Sequence, residues 1–350
     1  MTLTKSLLDD NNKFPEPYFV TSQKEQKVII GIFHYLHGPM LIDEEGPVLS
    51  DFVDSLFPDN WKDGSLFISK HSNYFYLCLC AISDVIFSPR GALQFTMAIR
   101  GSTPSFSDDY VCFLENAIRE LKKCPNLDLG VLNNAINQHA PSAFEERLIT
   151  HPLRKMLEGN VFSNFFSRNP KSVFELWKAR AVRAKIAISS HTSITDCTKM
   201  CYFISIMSWP FSSPDDASYL VSLSKSRDFL HGEWNLVALA HPILQNERIA
   251  HVTIVSEGNI SVQDMFKYIQ KGEGSALRTI ITLLEERDDY NLLCFLTDLS
   301  RKLIALFDSR SIIDSKDLSD IGLDSSNNRF LTLLIQTQHR NNTIIGSCCC

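Results

Sequence analysis

A change of hydrophobic period near residue 105 constrains this chain more than any other feature. Before it, apolar residues come in short runs bounded by turn chemistry: Val28-Ile29-Ile30-Gly31-Ile32-Phe33, then Met40-Leu41-Ile42 after the turn signal Gly38-Pro39, then 65–69 after Asp63-Gly64, then 74–83 and 93–100. Runs this short, rich in β-branched and aromatic residues, are strands. They predict an antiparallel meander of about five strands. After Ser107 the spacing becomes helical: Tyr110, Phe113, Leu114, Ala117, Ile118 and Leu121 recur at three and four residues, with Ser107 or Asp108 placed to cap. A sheet closed by a long amphipathic helix is a self-sufficient α+β layer pair.

The second half has another rhythm. Residues 153–166 show a helical period, 172–183 a further helix with Ser172 as its cap, 185–189 a short apolar strand, and 192–207 a helix stopped by Trp209-Pro210. Two more strands are expected at 235–240 and 251–256, and then helices at 261–270, 274–285, 291–307, 317–321 and 329–337. Helix and strand in alternation predict a parallel or mixed sheet covered by helices, passing into a helical end. At 350 residues the chain exceeds what one core usually fills, so two lobes are expected, joined between Pro141 and Pro152.

Charge and cysteine usage narrow the function classes. With 34 basic against 40 acidic residues the net charge is -6, which predicts no nucleic-acid partner. The longest apolar runs, 74–83 and 201–211, fall short of the roughly 20 residues that span a bilayer. Residues 1–13 lack a signal-peptide core, and seven of the 10 cysteines are scattered through apolar segments. A cytoplasmic protein with reduced thiols is expected. Cys78 with Cys80, and Cys197 with Cys201, read as small buried hydrophobes rather than metal knuckles.

The common catalytic signatures are missing from the sequence: it holds no GxxxxGK[ST], GxSxG or HExxH motif. Gly272-Glu273-Gly274 reads as a turn between helices, the pairs His34/His37 and His231/His241 as satisfied or surface histidines, and residues 285–289 as a solvated interhelical turn. Cys348, Cys349 and Cys350 stand apart, because thiols in a polar tail have no packing role. They are candidates for lipidation, by S-acylation or double prenylation, which would attach the protein peripherally to a membrane. Ser347 occupies the position that a C-a-a-X box needs for cysteine.

The segment Phe174-Glu175-Leu176-Trp177-Lys178-Ala179-Arg180-Ala181-Val182-Arg183-Ala184-Lys185-Ile186-Ala187-Ile188-Ser189-Ser190 resembles the central signature of the DENN domain, in which a Leu-Trp helix leads through basic residues into a strand ending in serine. Ile149-Thr150-His151-Pro152, Phe113-Leu114-Glu115-Asn116 and Ile321-Gly322-Leu323-Asp324 resemble the LCHN subgroup of that family. The departure is Trp209-Pro210, where the family more often places proline before tryptophan. Polar, aperiodic sequence at the two ends reads as a flexible arm over 1–24 and a flexible cysteine-ending tail over 339–350, and the resemblance implies a longin-like module with an antiparallel sheet and helices over 25–145, an α/β DENN core over 146–260 and a helical downstream part over 261–338. It also implies a Rab-family small GTPase as partner, and exchange of its guanine nucleotide, or else a non-catalytic scaffold that holds the GTPase. Such a protein works by differential binding and needs no cofactor or catalytic residue that breaks a bond. Leu176 and Trp177 read as core anchors. Arg183 and Lys185, at the start of the strand, have two readings: contact with an acidic partner, or solvated charges at a helix end.

Overall fold

In the first half, the strands are built where side chains are apolar on both faces and therefore need cover on both. In the computed structural model, which describes residues 20–21, 27–34, 38–42, 56–58, 62–88, 91–124, 152–189, 193–221, 234–239, 250–254, 258–270, 274–338 and 344–345, the chain divides into two compact units. One is Met1–Lys155 with Ser193–Thr195, and the other Met156–Thr192 with Asp196–Cys350.

The first unit carries β1 (Val20–Thr21), β2 (Lys27–His34), β3 (Gly38–Ile42), β4 (Leu66–His71), β5 (Tyr74–Ser88) and β6 (Gly91–Gly101). Every pairing is antiparallel, in the order β1-β2-β6-β5-β4 with β3 also on β2. The sheet is thus not the simple meander expected from the sequence. β4, β5 and β6 follow one another, but β6 then pairs with β2, and β3 does not lie beside β4. The reason is that Phe95 through Ile99 are fully buried, so β6 needs a partner on each edge. Helix α1 (Asp108–Leu121) lies against β5 and β6 through Tyr110, Phe113, Leu114, Ala117 and Leu121. Ser107 stands at its N-cap with extended backbone but makes no side-chain cap bond; Asp108 instead accepts from the Lys155 backbone N–H at 3.1 Å. The second helix expected in the first half, at 126–141, lies outside the described residues.

The second unit holds a mixed sheet of order β11-β10-β7-β9-β8, in which β7 (Ile186–Ser189), β9 (Leu236–Leu239), β8 (Ala217–Val221) and β10 (Val252–Ile254) are parallel and β11 (Ile260–Val262) is antiparallel to β10. Leu236, Val237, Ala238 and Leu239 are all buried, the continuous apolar pattern of a parallel strand covered on both faces. The helices of this half are α2 (Arg154–Leu157) and α5 (Ile194–Ile206), whose first residues belong to the first unit, and α3 (Val161–Phe166), α4 (Lys171–Ala181), α6 (Ser275–Glu285), α7 (Asp289–Ser309), α8 (Ser315–Asp320) and α9 (Asn328–Thr337). β12 (Ile312–Ile313) pairs in parallel with β13 (Ile344–Ile345).

Four sequence expectations are corrected in this unit. The helix read over 153–166 is two short ones, because Gly159 (φ 88°) and Asn160 (φ 50°) are left-handed and break it. Pro170, not Ser172, precedes α4, and Ser172 is buried. Residues 261–270 are not an α-helix: β11 ends at Val262 and a 3-10 segment follows over Asp264–Gln270. β8 had no counterpart in the sequence reading.

The run 285–289 is only partly a solvated turn. Asp289 is 2% exposed, and its carboxylate accepts from the backbone N–H groups of Phe162 (2.9 Å) and Ser163 (2.8 Å) and from the Ser163 hydroxyl. It therefore caps α3 from the start of α7. Burial raises its pKa, and these hydrogen bonds pull it back.

Candidate functional site

Helix α4, the signature helix, is buried from Ser172 through Ala181 although it carries Glu175, Lys178 and Arg180. Trp177 is its anchor, as expected. The indole stacks with Phe174 (5.6 Å between ring centroids), meets Phe330 of α9 at 5.7 Å, and donates from Nε1 to the Ser300 hydroxyl of α7 at 2.9 Å. One side chain thereby ties three helices together.

The buried charges carry a cost. Lys178 lies with its Nζ 4.5 Å from the Phe174 ring centroid, and burial lowers its pKa to about 7, opposed by the Glu175 carboxylate one turn away. Burial raises the Glu175 carboxyl. Arg180 donates from Nη2 to the Ser213 carbonyl at 2.6 Å, whereas its buried Nε and Nη1 find no partner among the described residues.

The end of α4 brings out the two basic residues singled out by sequence. The Arg183 N–H donates to the Arg180 carbonyl (3.1 Å) and the Ala184 N–H to the Ala179 carbonyl (2.9 Å), the paired bonds of a Schellman termination. Arg183 occupies the left-handed position with φ 55°, where glycine is usual, and its side chain is exposed. Lys185 is half-buried: its Nζ lies 5.4 Å from the Trp234 ring centroid and its backbone N–H donates to His251 Nδ1 at 3.0 Å. That bond sets His251 as the Nε2–H tautomer. Burial, and next Lys185, lower the imidazole pKa.

His251 opens a further row. Its ring stacks on Phe266 at 4.2 Å, Phe266 meets Tyr268 at 5.9 Å, and the Arg329 guanidinium lies 5.6 Å from the Tyr268 ring centroid. Cations and aromatic rings thus follow one another from Lys185 to Arg329. Met265, Phe266, Tyr268, Arg329 and Leu333 line a cavity of about 450 Å³ at the far end of this row. The sequence reading missed this groove, because 261–270 reads as a helix with an apolar core face. The density of Met265, Phe266 and Tyr268 beside an amphipathic α9 was the available signal.

Arg183 is exposed at the end of α4, and Lys185, half-buried, begins the row just described. Cys348, Cys349 and Cys350 lie outside the described residues, as do His37, His231, His241 and Gly272. Cys78, Cys80, Cys197 and Cys201 are buried and in no disulfide, and burial pushes Cys80 up to about 12. Among the described residues no group of three or more His, Cys, Asp or Glu side chains is arranged to hold a metal ion, and no helix is long and apolar enough to cross a membrane.

In comparison with known proteins, no protein-family model matches the chain and no curated protein matches it significantly.

Proposed function

We propose that this chain binds a Rab-type small GTPase and promotes release of its GDP, with the basic end of α4 as part of the contact. The support is the DENN-like signature together with what its residues do. The Leu-Trp pair is buried as the anchor of α4, Lys178 and Arg180 are buried with it, and the later basic residues reach the surface, Arg183 fully and at positive φ and Lys185 in part. A non-glycine residue held at positive φ on a surface is where a functional constraint is first sought. The reading needs no nucleophile, because exchange requires only that the nucleotide-free GTPase bind more tightly than the GDP-bound one. Membrane traffic is the setting this implies, with acylation of the cysteine run Cys348, Cys349 and Cys350 as the attachment; their replacement by serine should move the protein off membranes.

The test is release of a fluorescent GDP analogue from a panel of Rab GTPases with and without the full chain. Acceleration on at least one member, reduced by Arg183→Glu, is the expected result. Binding without acceleration would leave the scaffold reading in place of exchange. No binding to any member would remove both.

A further inference from the structure

We propose that the groove between the 3-10 segment Asp264–Gln270 and helix α9 docks an acidic peptide segment of a partner protein, one that sets a carboxylate beside a bulky apolar side chain. This goes beyond the GTPase reading and does not rest on it.

Charge is the first argument. Arg329 stands in the first turn of α9, and no acidic residue occupies that turn. Its guanidinium lies over the Tyr268 ring and is exposed, so a carboxylate could reach it in the paired geometry arginine favours.

The second argument is independent of charge. Tyr268 lines the groove and is only 8% exposed, yet its buried hydroxyl has no hydrogen-bond partner among the described residues. A buried O–H without an acceptor is costly, and a ligand oxygen would remove that cost. Both groups therefore ask for an acceptor, one of them for a charged one. Phe266, Leu333 and Met265, the last 66% exposed, supply the apolar part, and an exposed methionine thioether adapts readily to different partner shapes.

The shape decides for a peptide over a free small molecule. A small ligand wants roughly 70–90% of its surface enclosed. Met265, Arg329, Thr332 and Gln336 are all exposed, so the groove covers one side of an occupant and leaves the other open. Arg329, Leu333 and Gln336 run along one face of α9 over about 10 Å at 1.5 Å per residue, the reach of about three extended residues.

The experiment selects a random peptide library on the full chain in parallel with Arg329→Glu and Tyr268→Phe, each checked for native circular dichroism. Peptides recovered on the native chain are then synthesised for fluorescence anisotropy. They should carry Asp or Glu next to Leu, Ile, Met or Phe, and bind roughly tenfold or more weakly to Arg329→Glu. Binding to Tyr268→Phe should fall by about three- to tenfold, and amide versions of the peptides should bind weakly to all three proteins. The proposal is overturned by recovery of no peptide that Arg329→Glu fails to bind, or by equal affinity for carboxylate and amide versions. Saturable binding of dodecanoate at the groove with no peptide recovered would overturn it in favour of a free amphiphilic carboxylate.

Discussion

Replacing Lys178 by methionine should change how the protein's stability depends on pH. Lys178 is 0% exposed, and its folded pKa is lowered from 10.5 to about 7, with burial as the leading cause. A lysine with a depressed folded pKa binds its proton less well folded than unfolded. Its penalty is therefore fully present below pH 7 and is relieved as pH rises from about 7 toward 10.5. The slope for one such proton is about 1.4 kcal/mol per pH unit. Between pH 7.5 and 9.5 the native chain should thus gain about 2.5 kcal/mol relative to Lys178→Met. Urea unfolding followed by tryptophan fluorescence reads this out, since Trp177 is buried on the same helix. Parallel stability curves for the two proteins over that range would refute the assignment of Lys178 as a buried, nearly neutral amine.

Three further perturbations follow from the same packing. Asp289→Ala removes the acceptor for two backbone N–H groups at the start of α3 and should cost about 1–3 kcal/mol, with Asp289→Asn milder, as measured by urea midpoints. At Gly274, φ is 139° and a Cβ would stand 2.4 Å from the Gly322 carbonyl oxygen, so Gly274→Ala should destabilise by more than about 2 kcal/mol; an unchanged melting temperature would count against that close approach. Arg183→Gly should raise stability by about 0.5–1 kcal/mol, because glycine is unstrained at the left-handed position, while weakening contact with the GTPase. A calorimetric melting temperature and a binding isotherm measure the two effects separately.

Much of the fold was legible in the sequence where a single face or a continuous apolar run decided the element. The 28–33, 74–83 and 93–100 runs are strands, Tyr110 through Leu121 is a helix, and Trp177 is an anchor, because burial of those side chains leaves few alternatives. What failed was of two kinds. Strand order is set by which edges must be covered, so the β2–β6 pairing was invisible in local pattern. Short elements fell between periods: in 153–166 two left-handed residues divide an otherwise helical spacing, and in 261–270 an antiparallel edge strand and a 3-10 segment share the apolar spacing of a helix.

The site was legible only at its basic end. Arg183 and Lys185 could be named because they adjoin the signature, but His251, Phe266, Tyr268 and Arg329 come from separate stretches of sequence and meet through tertiary packing. The buried role of Asp289 was hidden for the same reason: its partners, Phe162 and Ser163, lie more than 120 residues earlier.

The central claim is preference for the nucleotide-free GTPase, and calorimetric titration of the full chain with one Rab in its nucleotide-free and GDP-bound forms tests it most directly. The account predicts binding at least about tenfold tighter to the nucleotide-free form, a coupling of about 1.4 kcal/mol or more. Equal affinity for the two forms, or no binding to either across the panel, would contradict it.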